Sequence, residues 1–180
     1  AKAAAERMQT NGFMDVIADD WSNFKLIIMD SPSVEAIHKR DQGVEDAFRA
    51  AFPDMPDDAV VWLDCGAGLQ ADINNKLAPA LNLYGADTDK WVFASGTGSS
   101  TIAAAQILKE YGMKAEDFIL IDTCGAPDSC QLMLTDDYAA SYMLVGLASA
   151  PSGVGMGELI IDLVENGTPI PCMTPYDLII

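Results

Sequence analysis

Four places in the 180-residue sequence bring together side chains able to bind or react: Asp30-Ser31, Asp64-Cys65, Ser95-Gly96-Thr97 and Asp122-Thr123. Each set comes at the end of a short apolar run. Carboxylates accept charge-assisted hydrogen bonds from hydroxyls, so together they suit a neutral, hydroxyl-rich ligand. Catalytic arrangements are scarcer. His38 is the sole histidine, so any Ser–His or Cys–His scheme would have to run through it, and no Gly-x-Ser-x-Gly elbow is present. With Lys39 and Arg40 beside it, His38 is expected on a solvated helix surface. The stretch Gly96-Thr-Gly-Ser-Ser-Thr101 invites a phosphate-loop reading. Thr101, however, stands where G-x-G-x-x-G needs its third glycine, and no Gly-Lys-Ser/Thr follows. Its simpler role is a tight turn whose hydroxyls cap a helix. Nothing in the pattern demands an enzyme.

Metal and redox chemistry find no better footing. The cysteines at 65, 124, 130 and 172 match no zinc-ligand spacing. Cys124 and Cys130 flank Gly125 and Pro127, which leaves two readings open, a local disulfide or two small buried hydrophobes. The acidic groups Asp19–Asp20, Asp54 to Asp58 and Asp136–Asp137 lack the Asp-x-Asp-x-Asp-Gly loop of a calcium site and read as solvated surface. No metal and no other cofactor is expected. With 27 Asp and Glu against 10 Lys and Arg, the net charge is −17. Such a surface repels phosphate backbones and anionic lipids, so nucleic acid is not an expected partner.

The elements that must position these residues follow from the hydrophobic pattern. Strands are expected at Phe24–Asp30, Ala59–Leu63, Lys90–Ser95 and Phe118–Asp122, and further strands near Tyr138–Ala148 and Pro169–Ile180. Between them lie helical patterns at Val34–Phe52, Leu69–Tyr84, Thr101–Tyr111 and Gly155–Asn166. In the first, Ile37, Val44, Phe48 and Ala51 share one face. Alternation of strand and helix predicts an α/β fold, a doubly wound and mostly parallel sheet covered on both faces. In such sheets ligands bind at the carboxyl ends of the strands, where all four residue sets fall.

Several segments carry a family likeness. Phe93-Ala-Ser-Gly-Thr97 precedes an Ala-rich helix; Phe118-Ile-Leu-Ile-Asp122-Thr-Cys-Gly-Ala-Pro-Asp128 ends a strand in a glycine-to-proline turn. Asn166-Gly-Thr-Pro-Ile-Pro171 and Thr174-Pro-Tyr-Asp-Leu-Ile-Ile180 close the chain, and Pro32-Ser33 leads to Arg40-Asp-Gln-Gly43. Taken in chain order they resemble the C-terminal lobe of the ribose-binding-like sugar receptors of bacterial ABC transporters, the type I periplasmic binding proteins. The resemblance implies a non-catalytic, extracytoplasmic solute-binding protein that holds a sugar or similar polyhydroxylated molecule between two lobes. Residues 1–180 would be the C-terminal lobe, with the N-terminal lobe and a transporter permease as partners and residues 153–167 a helix belonging with the other lobe. It implies that Arg40 donates to sugar hydroxyls, that Asp122 accepts from them, and that Ser149 stands where many members place a glutamine. Asp30, Asp64, Ser95, Gly96 and Thr97 complete the expected ligand set. The loop Ser95–Gly98 departs from the family in lacking its Asn-Asp pair. A stripe of Met156, Leu159, Ile160 and Leu163 would pair two isolated lobes as a homodimer. Two alternatives keep the α/β architecture: the effector-sensing lobe of a sugar-responsive transcription regulator, and a small Rossmann-like nucleotide-binding enzyme using Gly96–Thr101.

Overall fold

The computed structural model describes residues 2–10, 12–17, 20–135, 137–138, 141–144, 146–147, 161–162, 164–167 and 178–179. Two short helices, α1 (Lys2–Thr10) and α2 (Phe13–Ile17), lead into β1 (Phe24–Asp30). There follow α3 (Glu35–Ala51), β2 (Val60–Asp64), α4 (Gln70–Tyr84), β3 (Lys90–Ser95), α5 (Gly98–Glu110), β4 (Phe118–Asp122), α6 (Pro127–Thr135) and β5 (Tyr142–Leu144). The strands form one parallel sheet in the order β2-β1-β3-β4-β5. A separate antiparallel pair joins β6 (Gly146–Leu147) to β7 (Leu178–Ile179).

Side-chain alternation along each strand splits the core into two layers. Leu26, Ile28, Val92, Ala94, Ile119 and Ile121 face one way and pack with α1, α2 and α3 through Met8, Phe13, Val44 and Phe48. Ile27, Met29, Phe93, Phe118 and Leu120 face the other way, against Ile73, Leu77, Ile107 and Leu108 of α4 and α5. All seven residues of β1 are buried, whereas β2 is partly exposed at the sheet edge. A central strand covered on both faces is apolar through its middle, here Leu26 to Met29, which is why its sequence shows no alternation, and Lys25 and Asp30 fall near its ends.

The expected α/β fold is the one observed, with three local differences. Helix α5 begins at Gly98, three residues before the expected Thr101, because the Thr97 side chain accepts from Ser100 N and caps it there. The Gly- and Pro-containing stretch after β4 is helical from Pro127, a residue suited to a first helical turn, where its missing N–H costs nothing. The single strand expected near Tyr138–Ala148 divides into β5 and β6, which belong to different sheets. The segments 161–162 and 164–166 are helical. Ser149 and the stripe Met156, Leu159, Ile160 and Leu163 lie outside the described residues. No described helix is long and apolar enough to cross a membrane.

Candidate functional site

The strand order reverses direction between β1 and β3, and at such a switch point the two following helices leave on opposite faces and open a crevice. Asp30 ends β1 on the α3 face, in line with Leu26 and Ile28. Ser95 and Asp122 end β3 and β4 on the α5 face, in line with Phe93 and Leu120. The polar residues that are adjacent along the sheet edge are thereby divided between its two sides.

On the α3 side the structure gathers charged groups. His38, expected on the solvated surface, is instead half-buried: its Nδ1 lies 2.7 Å from Asp30 Oδ2 and its Nε2 lies 3.0 Å from Gln42 Nε2. One turn from the strand end, α3 leans over Asp30, and the buried carboxylate draws the imidazole inward. The ring also packs against Trp62 at 5.7 Å. Asp41 is buried completely, and Asp30 is 4% exposed. No donor from the rest of the described protein reaches Asp30 Oδ1 or either oxygen of Asp41. Burial, then the charge of Asp30 and a hydrogen bond with it, push the Asp41 carboxyl up to about 8 against an opposing pull from Arg40. At neutral pH Asp41 therefore holds its proton, which it can share with one oxygen of Asp30, while its own second oxygen stays buried without a partner.

Sequence reasoning missed Asp41, although its spacing carried the signal. The positions 37, 41, 44, 48 and 51 form one continuous helical stripe, with the aspartate in the middle of it. A charged residue inside an apolar stripe is a candidate buried acid.

Arg40 and Gly96 complete this side. The Arg40 guanidinium is half-buried and donates from Nη1 to the Gly96 carbonyl at 3.4 Å. A Cβ on Gly96 would meet Ile37 Cγ2 at 2.4 Å and Asp41 Oδ2 at 3.2 Å, so the loop after β3 lies directly on α3. Glycine is what permits that approach.

The α5 side uses its polar atoms internally. Asp122 Oδ1 accepts from Cys124 N at 2.6 Å and Gly125 N at 3.3 Å, while its Oδ2 is buried without a partner. Ser95 Oγ donates to the Thr97 carbonyl, and Thr97 Oγ1 caps α5 and contacts Ser100 Oγ at 2.7 Å. Ser99 and Ser100 both donate to the Gly68 carbonyl at 3.1 Å. A Cβ on Gly98 would strike Ala126 Cβ at 2.5 Å. The two glycines of Gly96-Thr-Gly98 thus admit neighbouring protein, and the hydroxyls a phosphate would need are committed. Asp64 is exposed at the outer edge, where it accepts from Gly66 N at 3.0 Å.

Three cysteines fall among the described residues, and all are free. Cys65 is buried, and that burial, reinforced by Asp64, pushes its thiol up to about 12. Cys124 and Cys130 are half-buried thiols, which resolves the two sequence readings against a disulfide between them. A cavity of about 570 Å³ opens at the opposite edge of the sheet, lined by Leu81, Thr88, Trp91, Tyr111 and Met113. It lies away from the strand ends that carry the charged cluster, and its shape alone does not make it the ligand site.

No family model and no curated protein matches the sequence. Solved structures do match in fold. A myo-inositol-binding protein from Caulobacter, bound to myo-inositol, superposes with a TM-score of 0.69 at 12% identity over 99% of this chain and 58% of its own. A galactofuranose-binding protein gives 0.60 at 17% identity, covering 94% of this chain and 55% of its own. An ABC-transporter solute-binding protein from Burkholderia graminis, in complex with D-arabinose, gives 0.66 at 13% identity over 99% of this chain and 57% of its own. The chain therefore shares the fold of sugar-binding solute receptors across little more than half of their length.

Proposed function

We propose that this chain is a ligand-binding lobe of a two-lobed solute receptor, and that it binds a polyhydroxylated small molecule at the crevice between β1 and β3. The observation that carries this reading is the convergence of Asp30, His38, Arg40, Asp41 and Gly96 at the carboxyl edge of a parallel sheet, at its switch point. Support comes from the fold, which is shared with proteins described as binding myo-inositol, galactofuranose and arabinose. Arg40 supplies a planar fork of donors for paired oxygens. The half-buried His38 lies beside Asp30 on the same side of the crevice. A second lobe would close over the crevice and exclude water, which strengthens each of these bonds. Delivery to a transporter and an extracytoplasmic location belong to the same proposal.

A ¹⁵N-labelled sample of the chain titrated with myo-inositol and D-arabinose tests it. Amide shifts concentrated at Ser31, Arg40, Gly96 and Thr97, saturating in the millimolar range near −4 kcal/mol, are expected of one lobe alone. Shifts at the opposite edge of the sheet, or none at tens of millimolar, would overturn it.

A further inference from the structure

Arg40 is a half-buried cation at the crevice that, like Arg7 with its 3.4 Å bond to the Tyr142 carbonyl, forms no ion pair among the described residues. Lys2, Lys39, Arg49 and Lys90 each pair with a carboxylate. The one hydrogen bond that Arg40 makes among the described residues is the 3.4 Å contact with the Gly96 carbonyl. The carboxylates nearest to it are otherwise engaged. Asp30 faces the imidazole of His38, and Asp41 is turned fully inward, against Asp30. On the α3 side of the crevice a half-buried guanidinium thus carries its charge without a carboxylate partner among the described residues.

A neutral sugar would fill some of its donors but leave the charge uncompensated. A carboxylate fills two with matching planar geometry and cancels the charge as well. We infer that the ligand of this crevice is an acidic sugar, a polyhydroxylated molecule bearing a carboxylate that Arg40 grips through its guanidinium fork, and that the inward Asp30–Asp41 pair keeps Arg40 uncommitted. The inference rests on the reading of the crevice as the ligand site and narrows its substrate class.

A pH signature follows from the geometry. The charged groups around Asp41 are Asp30 from β1 and Arg40 on its own helix, with His38 reached through Asp30; the β3–α5 loop brings only the Gly96 backbone against it. Below about 8 the Asp41 carboxyl is neutral. Above that value it ionises, its charge competes for Arg40, and a carboxylate ligand loses more ground than a neutral sugar does.

The matched probes are D-glucuronate and D-glucose, which differ in a carboxylate against a hydroxymethyl, with acetate as a carboxylate lacking hydroxyls. Titrations of the labelled chain are read at the Arg40 Nε–H and Gly96 amide signals, at pH 6 and pH 9. Glucuronate is expected to bind about tenfold more tightly than glucose at pH 6, the worth of one charge-assisted hydrogen bond. That preference should shrink at pH 9, persist there in Asp41→Asn, and fall in Arg40→Lys, which keeps the charge but loses the fork. Equal binding of glucose and glucuronate would overturn the inference and leave the polyol reading standing. Acetate binding as well as glucuronate would overturn it as mere anion attraction. Failure of all sugars to shift these signals would remove both.

Discussion

The two sides of the carboxyl edge begin from similar residues and end differently. Around β4 and α5, Ser95, Thr97, Ser100 and one oxygen of Asp122 are engaged with backbone, the second Asp122 oxygen being buried without a partner. Around β1 and α3, Asp30 and Asp41 receive no backbone N–H, and Arg40 receives no carboxylate. The contrast arises from what each strand runs into. Loops 95–98 and 122–126 turn tightly into helix starts whose free N–H groups demand acceptors, so the local side chains supply them. Asp30 instead meets the side of α3 a full turn into the helix, where every backbone N–H is already bonded. A polar residue at a strand end becomes available to a ligand only where the backbone has no claim on it.

The largest expected effect breaks the contrast at Asp41. Its folded-state value is raised to about 8, so the folded state holds a proton that the unfolded chain releases near the ordinary carboxylate value. The associated stability is fully present below about pH 4 and is lost as pH rises toward 8, at up to about 1.4 kcal/mol per pH unit. Denaturant melts at pH 5 and pH 8 should show that fall, and Asp41→Asn should flatten it and be the more stable protein at pH 8. A wild-type stability that does not fall across this window would show that Asp41 titrates normally.

Next in size is Asp122→Ala, which strands two N–H groups at Cys124 and Gly125. A loss of roughly 1–3 kcal/mol is expected in urea unfolding. Its Oδ2 keeps a ligand role open, so the same variant should be titrated with sugar. An unfolding midpoint equal to wild type would mean that the turn finds other acceptors. Thr97→Ala removes the cap of α5 and should cost about 1 kcal/mol, with amide exchange rising at Ser99 and Ser100 before the rest of the helix.

Arg40→Ala is the smallest in stability, within about 0.5 kcal/mol, since its single long bond to the Gly96 carbonyl holds little in place. In the two-lobed receptor it should nonetheless weaken ligand binding by roughly 1.5–3 kcal/mol. Together with Asp122→Ala this sharpens the comparison, one residue kept for folding and the other for binding. Calorimetry finding the reverse pattern would exchange the roles of the two sides.

Much of the fold was legible before any coordinates. β1, β3 and β4 occupy the ranges their apolar runs predicted, because burial on both faces keeps the middle of a central strand apolar and confines polar residues to its ends. Helix ends were read less well, since α5 starts wherever a capping side chain happens to reach, here Thr97 rather than the next two hydroxyls. The candidate site was legible in part. Asp30 and Gly96 follow from their places at strand ends and Arg40 from the family resemblance, whereas His38 is expected in solvent and Asp41 is absent from the expected set. Whether a helical residue faces water or a strand end depends on the angle at which the helix crosses the sheet, and periodicity does not contain that angle.

Composition and period thus determined the α/β class, the central strands and the edge of the sheet where polar residues collect, because those follow from local chain geometry and the removal of apolar surface from water. Tertiary structure alone decided the protonation of Asp41, the inward turn of His38, the freedom of Arg40 and the commitment of Ser95, Thr97 and Asp122 to backbone. Each of these depends on which charge or N–H lies within a few ångströms across elements far apart in sequence, and hydrogen bonds and desolvation act only at that range.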